Sequence, residues 1–388
     1  GVGGRGKGLT RLEEIVVQLE GMPMSYDMLV RSVLPARMET FAPRQLDELG
    51  AMGAVVWIGV GALGPRDGRI ALYRRERVAK LVEPPEIPEG LSALGRRMLD
   101  QLETRGACFF LELQRALPES KHEEIVDALW DLVWAGLVTN DTFAPLRALG
   151  ASRRSTRRRP GHADPLTAGR WSLVRSLIGD GVSATERAHA RAIMLLERHG
   201  VVSRETAALE SLPGGFSAVY RIYRSMEEAG KIRRGYFVEG IGGGQFAFPG
   251  AIDRLRGLRN PEGQPAVTVI SAADPANPYG WILPWPEPAD AAARAPKRHA
   301  GARLVLVDGE PTLYLDRGKV LLTFADTDAS AFERGFVALR ELLERHSKKA
   351  VRIDQIDAAP ALESPRASLL KQLGVTFDHR GLIIERRV

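Results

Sequence analysis

Cysteine is almost absent from this sequence, which has a single one, Cys108, among 388 residues. A disulfide framework and a cysteine-based zinc finger are therefore excluded. The seven histidines are scattered and none stands in an HExxH arrangement, so we expect no metal site. No apolar run approaches the ~20 residues of a membrane span, and no signal-peptide pattern is present. We therefore expect a cytoplasmic protein with no membrane partner.

Nucleotide-binding loops are also lacking. The opening residues Gly1 to Lys7 have the spacing G-x-x-x-x-G-K, but Gly8 stands where a phosphate loop needs a Ser or Thr hydroxyl for Mg²⁺. The glycine cluster from Gly240 to Gly244 precedes the strand-like stretch FAFP, whereas a dinucleotide fingerprint must open a helix. We therefore expect no cofactor in this chain. Because the sequence begins without Met, we interpret it as a piece of a longer protein.

Length and charge set broad limits on the class of protein. A chain of 388 residues with 44% apolar residues can form about two to four compact domains. The formal net charge of +6 is a modest basic excess, which permits binding to a polyanion. Arginine supplies most of the cations, and its planar fork suits phosphate.

One pattern recurs three times along the chain. A helix with apolar residues three apart is followed four residues later by a glycine, and two residues beyond that by an apolar residue suited to a strand. Such a glycine can adopt the left-handed conformation that ends a helix, after which a strand leaves. The three copies are Leu46, Leu49, Gly53 and Val55; Leu129, Leu132, Gly136 and Val138; and Tyr223, Met226, Gly230 and Ile232.

Each copy is preceded by two further amphipathic stretches, such as RLEEIVVQLEG and SYDMLVRSVLPARM before the first. Three short helices followed by a β-hairpin are typical of the winged helix, a relative of the helix-turn-helix. The predicted hairpins differ in length. GALGPRDG connects the strands in the first copy, the second has little more than a stub, and EGIGGGQ connects them in the third.

The pattern changes after about residue 262, where AVTVISA, ARLVLVDGEPTLYLDRG and KVLLTFA indicate short strands separated by turns. We predict an α+β fold, with tandem winged-helix modules followed by a small β-barrel and a C-terminal αβ cap that closes the barrel. The predicted domains are a winged helix at 1–85, a second at 86–150, a basic linker at 151–164, a third winged helix at 165–262, the barrel at 263–328 and the cap at 329–388.

Two basic segments are candidates for DNA contacts. The linker segment SRRSTRRRPGHADP is either a solvated connection, which we favour, or a direct contact. In the third module, the glycine cluster would form the tip of the hairpin and let it approach a sugar-phosphate backbone closely, beside cations and a stacking ring. The predicted DNA-binding residues are Arg153, Arg154, Arg157, Arg158, Arg159, Arg221, Arg224, Lys231, Arg233, Arg234, Tyr236, Gly242 and Gly243.

Two stretches, LPGGFSAVYRIYRSMEEAGKIRRGYFVEGIGGGQFAFPGAIDRLR and ADPANPYGWILPWP, closely resemble the C-terminal region of the bacterial large helicase-related protein family, Lhr. The resemblance implies tandem winged helices ending in a β-barrel. In that family they follow a DNA-dependent ATPase and 3′-to-5′ helicase core, which holds ATP and Mg²⁺ and is missing here. We therefore expect no ATP hydrolysis by this chain alone.

The same resemblance implies the partners of this chain. They are single-stranded or tailed DNA, the N-terminal helicase core of the full-length protein, and further copies of the chain in a homo-oligomer. These partners imply a nucleoid-associated protein.

The implied architecture is also similar to that of AlkZ-type DNA glycosylases, and Lhr C-terminal regions are linked to removal of uracil from DNA. Such an enzyme flips a base and stabilises an oxocarbenium-like sugar, which calls for a carboxylate or amide near the anomeric carbon. The AlkZ group uses Gln-apolar-Gln or Gln-apolar-Asp. The catalytic candidates here are Gln45-Leu46-Asp47, Gln355-Ile356-Asp357 and Asp274. For Asp274, within AADPANPYGWILPWP, we favour a structural corner over a catalytic role.

Three functions stay open on the sequence alone. The first is a DNA-binding and oligomerising module of a superfamily 2 repair helicase, whose affinity depends steeply on salt because Arg and Lys contact phosphates. The second is a monofunctional DNA glycosylase, and the third is a protein assembly platform with little affinity for DNA. A continuous positive stripe would favour DNA, whereas an exposed apolar face would favour assembly.

Overall fold

The protein mixes short helices with short strands throughout. The computed structural model describes residues 2–4, 6–64, 67–150, 165–179, 181–210, 212–258, 265–346 and 349–386. In these ranges, no helix has the length and apolar character needed to cross a membrane. The predicted DNA-binding residues from Arg153 to Arg159 lie outside the described residues.

The first module surrounds a small antiparallel sheet with helices. Its elements are α1 (Gly8–Leu19), β1 (Met24–Ser25), α2 (Tyr26–Met28) with a π-helical turn (Leu29–Val33), α3 (Arg44–Ala51), β2 (Val55–Gly64), β3 (Asp67–Arg74) and α4 (Val78–Leu81). Strand β3 lies between β1 and β2 and pairs with both. Strands β2 and β3 form the hairpin predicted around GALGPRDG.

The second module repeats this plan with shorter strands. Its elements are α5 (Ala93–Arg105), β4 (Cys108–Phe109), α6 (Phe110–Ala116), α7 (His122–Trp134), β5 (Val138–Asn140), α8 (Ala144–Gly150), a 3₁₀ turn (Pro165–Thr167), β6 (Arg170–Leu173) and α9 (Val174–Ile178). The last strand, β6, again lies between the other two.

Strand β6 moves the predicted boundary between the second and third modules. The sequence analysis ended the second module at residue 150 and opened the third at 165. Trp171 on β6 pairs with Cys108 and Asn140 and is fully buried. Residues 165–178 therefore complete the second module. The segment 151–164, predicted to link two modules, lies outside the described residues, and the elements before and after it, α8 and β6, both belong to the second module.

The third module has the same strand order. Its elements are α10 (Ala184–His199), β7 (Val201–Val202), α11 (Arg204–Leu209), α12 (Gly215–Glu228), β8 (Arg233–Gly235), β9 (Gln245–Ala247) and α13 (Pro249–Leu258). Strand β9 lies between β7 and β8, and the loop from Tyr236 to Gly244 joins β8 to β9. This loop is the predicted wing.

The repeated helix end predicted from sequence is confirmed in all three copies. Gly53, Gly136 and Gly230 have φ values of 71°, 73° and 70°. In the first copy, the Gly53 N–H donates to Gly50 O and the Ala54 N–H donates to Leu49 O, both at 2.9 Å. The other two copies make the same pair of bonds. This is the Schellman arrangement, which a left-handed glycine permits.

A buried ion cluster joins the third module to the first. The Glu20 carboxylate, fully buried, receives Arg74 Nη2 at 2.9 Å and Arg77 Nε at 3.4 Å. Arg77 also donates to Glu197 on α10 at 2.7 Å. Beside them, Arg198 of α10 donates to the Glu20 backbone oxygen and pairs with Glu210. Buried ions must be paired, so these contacts specify one orientation of the two modules.

The C-terminal region contains one large sheet and one small one. Its elements are β10 (Val267–Ser271), β11 (Ala302–Val307), β12 (Glu310–Asp316), β13 (Val320–Thr323), α14 (Ala329–His346), β14 (Val351–Ile353), β15 (Gln355–Ile356), β16 (Ala359–Pro360), α15 (Ala367–Gln372), β17 (Thr376–Phe377) and β18 (Leu382–Ile384). The large sheet has the order β10-β11-β12-β13-β15-β16, and the small one β14-β18-β17.

The predicted β-barrel is wrong, because the six-stranded sheet is open within the described residues. Its outer strands, β10 and β16, each pair with a single neighbour. Helix α14 packs on one face of the sheet, where Phe332, Phe336 and Leu339 share a core with strand residues such as Leu313. Strands β15 and β16 come from the predicted cap. The regions 263–328 and 329–388 therefore share one core.

A buried ion pair joins the first module to this region. Arg37 follows the π-helical turn and is 3% exposed, and Asp274 is fully buried. The Arg37 guanidinium donates to both carboxylate oxygens of Asp274, at 2.6 and 2.9 Å. Arg298 donates to the backbone oxygens of Asp274 and Tyr279 and lies 5.0 Å from the centre of the Trp281 ring. These contacts make AADPANPYGWILPWP a rigid corner.

We expect Asp274→Asn to lower the free energy of unfolding by about 3–5 kcal/mol, because it leaves the buried Arg37 charge without its partner. A urea titration measures this. Asp253→Asn is the matched control, since it removes one carboxylate of an exposed pair. The double variant Arg37→Met/Asp274→Leu should recover much of the stability. Equal stability of Asp274→Asn and the control would contradict the structural role.

Candidate nucleic-acid interface

Helix α3 of the first module is covered by the second module. The Asp47 carboxylate on α3 accepts a hydrogen bond from Phe143 N at 2.8 Å and pairs with Arg147 at 2.7 Å. A Cβ built on Gly50 would lie 2.6 Å from Asp141 O, so the two backbones are in close contact. The third helix is one that winged helices use for DNA. Here that helix is part of an internal interface.

Helix α7, the equivalent helix of the second module, lies in turn against the first hairpin. A Cβ on Gly59 would lie 2.0 Å from Val133 O, and a Cβ on Gly68 would lie 2.5 Å from the Trp134 ring. Glycine is therefore required at both strand positions. The first two modules share one apolar core, which runs from Leu12 to Trp171.

Helix α12 of the third module has one buried face and one exposed face. Val219, Tyr223 and Met226 are buried in the module's own core. The Tyr223 hydroxyl donates to Ala192 O at 2.9 Å, which attaches the helix to α10. Arg221 and Arg224 lie on the exposed face. Of the three equivalent helices, α12 is the one whose cationic face is open.

A groove of about 660 Å³ lies between α11, α12 and the wing, and we call it the wing groove. The structure brings four of the predicted DNA-binding residues together there, and adds others from neighbouring elements. Its lining residues are Arg204, Glu205, Phe216, Ser217, Tyr220, Arg221, Arg234, Gly242, Gly243 and Gly244. Residues from two helices and a hairpin therefore converge on one concave surface.

Three arginines make the wing groove positive. Arg204, Arg221 and Arg234 are exposed, and no carboxylate in the described ranges lies within ion-pair distance of them. Arg234 lies 6.0 Å from the centre of the Phe246 ring. A Cβ on Gly244 would lie 2.6 Å from Arg234 Nε, so the absence of a side chain there makes room for the guanidinium.

Aromatic rings form the floor of the wing groove. Phe216 and Tyr220 are half-buried, with ring centres 5.7 Å apart, and both pack on the fully buried Phe246. Each ring therefore retains an accessible part beside the arginines. Half-exposed rings next to cations are the arrangement on which nucleic-acid bases stack, irrespective of sequence.

Gln245 organises the wing loop. Its side chain is fully buried, and its Oε1 accepts hydrogen bonds from Phe237 N and Val238 N, both at 2.8 Å. Its Nε2 donates to Val238 O at 2.9 Å and to Ile241 O at 3.1 Å. This one side-chain amide therefore forms hydrogen bonds with four backbone groups of the wing loop, which has few other hydrogen bonds. The bonds hold Gly242 and Gly243 at the wing groove.

The remaining predicted DNA-binding residues of the third module lie outside the wing groove. Arg224 pairs with Glu228 at 3.0 Å on the same helix. Lys231 and Arg233 are exposed, and Arg233 points away from Arg234 because neighbouring strand residues face opposite sides. Tyr236 is 85% exposed at the start of the wing loop. These four stay predictions.

Sequence reasoning missed Arg204, Tyr220 and Gln245. Arg204 follows Ser203, whose hydroxyl caps α11, and lies in the first turn of that helix. The first turn of α11 also contains Glu205, so the sequence does not single out Arg204 as a site for an anion. Tyr220 resembled a core residue at helical spacing, and nothing near Gln245 in the sequence indicated its buried amide.

The catalytic candidates are not brought together. Asp47 and Asp274 are both held in ion pairs, with Arg147 and Arg37 respectively. Gln45 accepts a hydrogen bond from Ala42 N at 2.8 Å. Gln355 is exposed on β15. The structure assigns Asp47, Asp274 and Gln45 a local structural contact each.

Asp357 differs from the other candidates because its carboxylate is half-buried without an ion pair in the described structure. It occupies the turn between β15 and β16 with φ of 55°. It accepts hydrogen bonds from Thr323 N at 2.7 Å and Thr323 Oγ1 at 3.0 Å. Burial raises the pKa of Asp357 above its ordinary value, although the bonds from Thr323 act in the opposite direction.

Comparison with known proteins gives matches over nearly the whole chain. Residues 1–75 and 181–267 match models of two winged-helix domains of the large helicase-related protein. The chain is 35% identical over 407 residues to the Lhr helicase/uracil glycosylase of Escherichia coli K12, which covers 97% of this chain and 26% of that protein.

A second relative is the Lhr helicase/probable uracil glycosylase of Mycolicibacterium smegmatis, 37% identical over 412 residues. That alignment covers 97% of this chain and 27% of the relative, so the chain spans about a quarter of each protein. Two winged-helix matches and two alignments over 97% of the chain confirm the predicted relationship, and the chain belongs to the large helicase-related protein family, Lhr.

Proposed function

We propose that this chain is a DNA-binding region of a 3′-to-5′ repair helicase, in which three tandem winged helices hold single-stranded or tailed DNA for a motor elsewhere in the longer protein. The observation that carries the proposal is the wing groove. It combines three arginines without carboxylate partners among the described residues, two half-exposed rings and a glycine-rich tip.

Each part of the wing groove suits one part of a nucleic acid. Arginine forks bind phosphate oxygens, and such contacts supply most of the affinity for DNA of any sequence. Phe216 and Tyr220 offer stacking surfaces for unpaired bases. Gly242 and Gly243 let the wing backbone approach the sugar-phosphate chain, because they carry no Cβ. The combination favours single-stranded DNA, whose bases are accessible.

We expect the triple variant Arg204→Gln/Arg221→Gln/Arg234→Gln to bind oligothymidine more weakly and with less dependence on salt. Three lost phosphate contacts should reduce the slope of log K against log salt concentration by about 2 on single strands, since each contributes about 0.7. Fluorescence anisotropy over a salt series measures both quantities.

The chain offers a charge-matched control for this variant. Arg31, Arg256 and Arg345 are exposed arginines, each paired with a carboxylate three or four residues earlier in the chain. The triple variant Arg31→Gln/Arg256→Gln/Arg345→Gln loses the same charge. Its slope of log K against log salt concentration should stay within about 0.7 of the wild-type slope, which is the contribution of one phosphate contact. Equal loss in both triple variants would show that net charge, and not the wing groove, determines binding.

A second candidate function is removal of uracil from DNA, which the names of both relatives include. Asp357 is the observation that favours it here, since its pKa is raised and its carboxylate has no cationic partner within ion-pair distance in the described structure. An ionised Asp357 would stabilise the positive charge on the sugar while uracil leaves with the electron pair of the C1′–N1 bond, and the water that adds to C1′ loses a proton that neutralises the uracil anion.

We expect wild-type protein to remove uracil from single-stranded DNA, so that alkali then cleaves the strand at the abasic site. The rate of uracil removal should fall by about 10²-fold or more in Asp357→Asn. The rate should fall with decreasing pH at values above the ordinary Asp pKa of about 3.9, because the ionised form is required. Asp253→Asn serves as the control. Full activity of Asp357→Asn would show that Asp357 has no role in the reaction.

A further inference from the structure

A second strongly basic groove lies in the C-terminal region, far along the chain from the wing groove. Its volume is about 760 Å³. We call it the cap groove, and its lining residues are Arg317, Gly318, Lys319, Lys349–Arg352, Asp354 and Arg380. Five of the lining side chains are cationic and a single one is acidic, a stronger excess of positive charge than in the wing groove.

Three turns and strand ends build the cap groove. Arg317 and Gly318 have φ values of 49° and 69° in the tight turn between β12 and β13, which Lys319 N closes by donating to Asp316 O at 2.8 Å. A Cβ on Gly318 would lie 3.2 Å from Val351 Cγ1, so this turn packs directly on β14. The cations are therefore fixed on rigid elements.

The turn between β17 and β18 forms the opposite side. Asp378 accepts hydrogen bonds from the backbone of Arg380 and Gly381 at 2.8 and 3.0 Å, which fixes the turn and directs the Arg380 side chain outward. Asp378 also pairs with Arg352 at 2.7 Å. The pair with Asp378 neutralises the charge of Arg352, whereas the other cations of the cap groove have no such partner in the part of the chain that the structure describes.

Within the described residues, four cations of the cap groove are left outside ion pairs, and Asp354 is the one carboxylate among the groove's lining residues. Arg317, Lys319, Lys349 and Arg380 are exposed, and none of them forms an ion pair with a described residue. Like charges gathered in a concave surface repel each other and raise its positive potential. Folding alone gives no reason for such a cluster, whereas a bound polyanion would neutralise it.

The lining of the cap groove decides which polyanion fits. Ala350 and Val351 are its apolar residues, and no aromatic side chain lines it. A protein partner would need buried apolar or aromatic anchors at the centre of its interface, and the groove offers none. A phosphodiester backbone needs cations and close approach alone. Because stacking rings are missing, binding there would be independent of base identity.

We propose that the cap groove is a second binding site for the nucleic-acid backbone, so that one DNA strand occupies the wing groove and the cap groove together. The inference rests on the proposed function for its ligand and extends it to a site outside the winged helices. Linking two weak sites on one strand raises the overall affinity by about 10²–10⁴-fold without new contacts. A strand too short to reach both grooves loses this gain.

The test compares oligothymidines of two lengths by fluorescence anisotropy. One has about 8 nucleotides, within the size of a single site, and the other is several times longer. The variant is Arg317→Gln/Lys319→Gln/Arg380→Gln, and Arg31→Gln/Arg256→Gln/Arg345→Gln is the charge-matched control. We expect the ratio of long-strand to short-strand affinity to fall at least about tenfold in the cap-groove variant and to stay near the wild-type value in the control.

Each other outcome overturns the proposal in a recognisable way. An unchanged affinity ratio in the cap-groove variant would show that DNA does not use this groove. If inorganic tripolyphosphate or polyglutamate displaces the long strand as effectively as unlabelled oligothymidine, the groove is not a site for a nucleic-acid backbone. If the cap-groove variant has the expected effect while the wing-groove variant has none, the proposed function of the wing groove and the joint occupation of both grooves are overturned, and DNA binds in the cap groove alone.

Discussion

The packing of the first two modules on each other determines which surfaces of this protein can meet DNA. Strand β2 and helices α3 and α7 lie in one core, and Gly59 permits contact so close that any side chain there would meet the backbone of Val133. The helices that a free winged helix would offer to DNA are thereby used for assembly. The third module has a separate small core, to which Leu81 of the first module contributes, and its cationic helix face stays open.

The third module is held in a single orientation on the first module, and its wing is held in a single conformation. The ion cluster around Glu20 and Arg198 joins it to the first module, and Gln245 arranges the wing with one buried amide. Burial disfavours the Glu210 carboxylate, but the hydrogen bond from His199 and the charge of Arg198 lower the pKa of Glu210, so this carboxylate stays ionised over the neutral range. Rigid placement reduces the entropy lost on binding, which favours affinity.

Local features of the fold could be predicted from sequence, and long-range ones could not. The three helix ends at Gly53, Gly136 and Gly230 depend on spacing within one turn, which the sequence displays. The pairing of β6 with β4 and β5 joins residues that are far apart in the sequence, and the open sheet depends on helix α14 covering one face. The wing was predictable because its cations and glycines are neighbours in sequence. Arg204 was not, since tertiary packing alone brings it to Arg234.

Photocrosslinking tests the central claim most directly. An oligothymidine that carries 5-iodouracil would be bound to the chain and irradiated, and the crosslinked peptides identified by mass spectrometry. The account predicts crosslinks at the accessible rings of the third module, Phe216, Tyr220 and Tyr236. Crosslinks in helices α3 and α7, with none in the third module, would contradict it, because those helices would then have to leave the shared core to reach DNA.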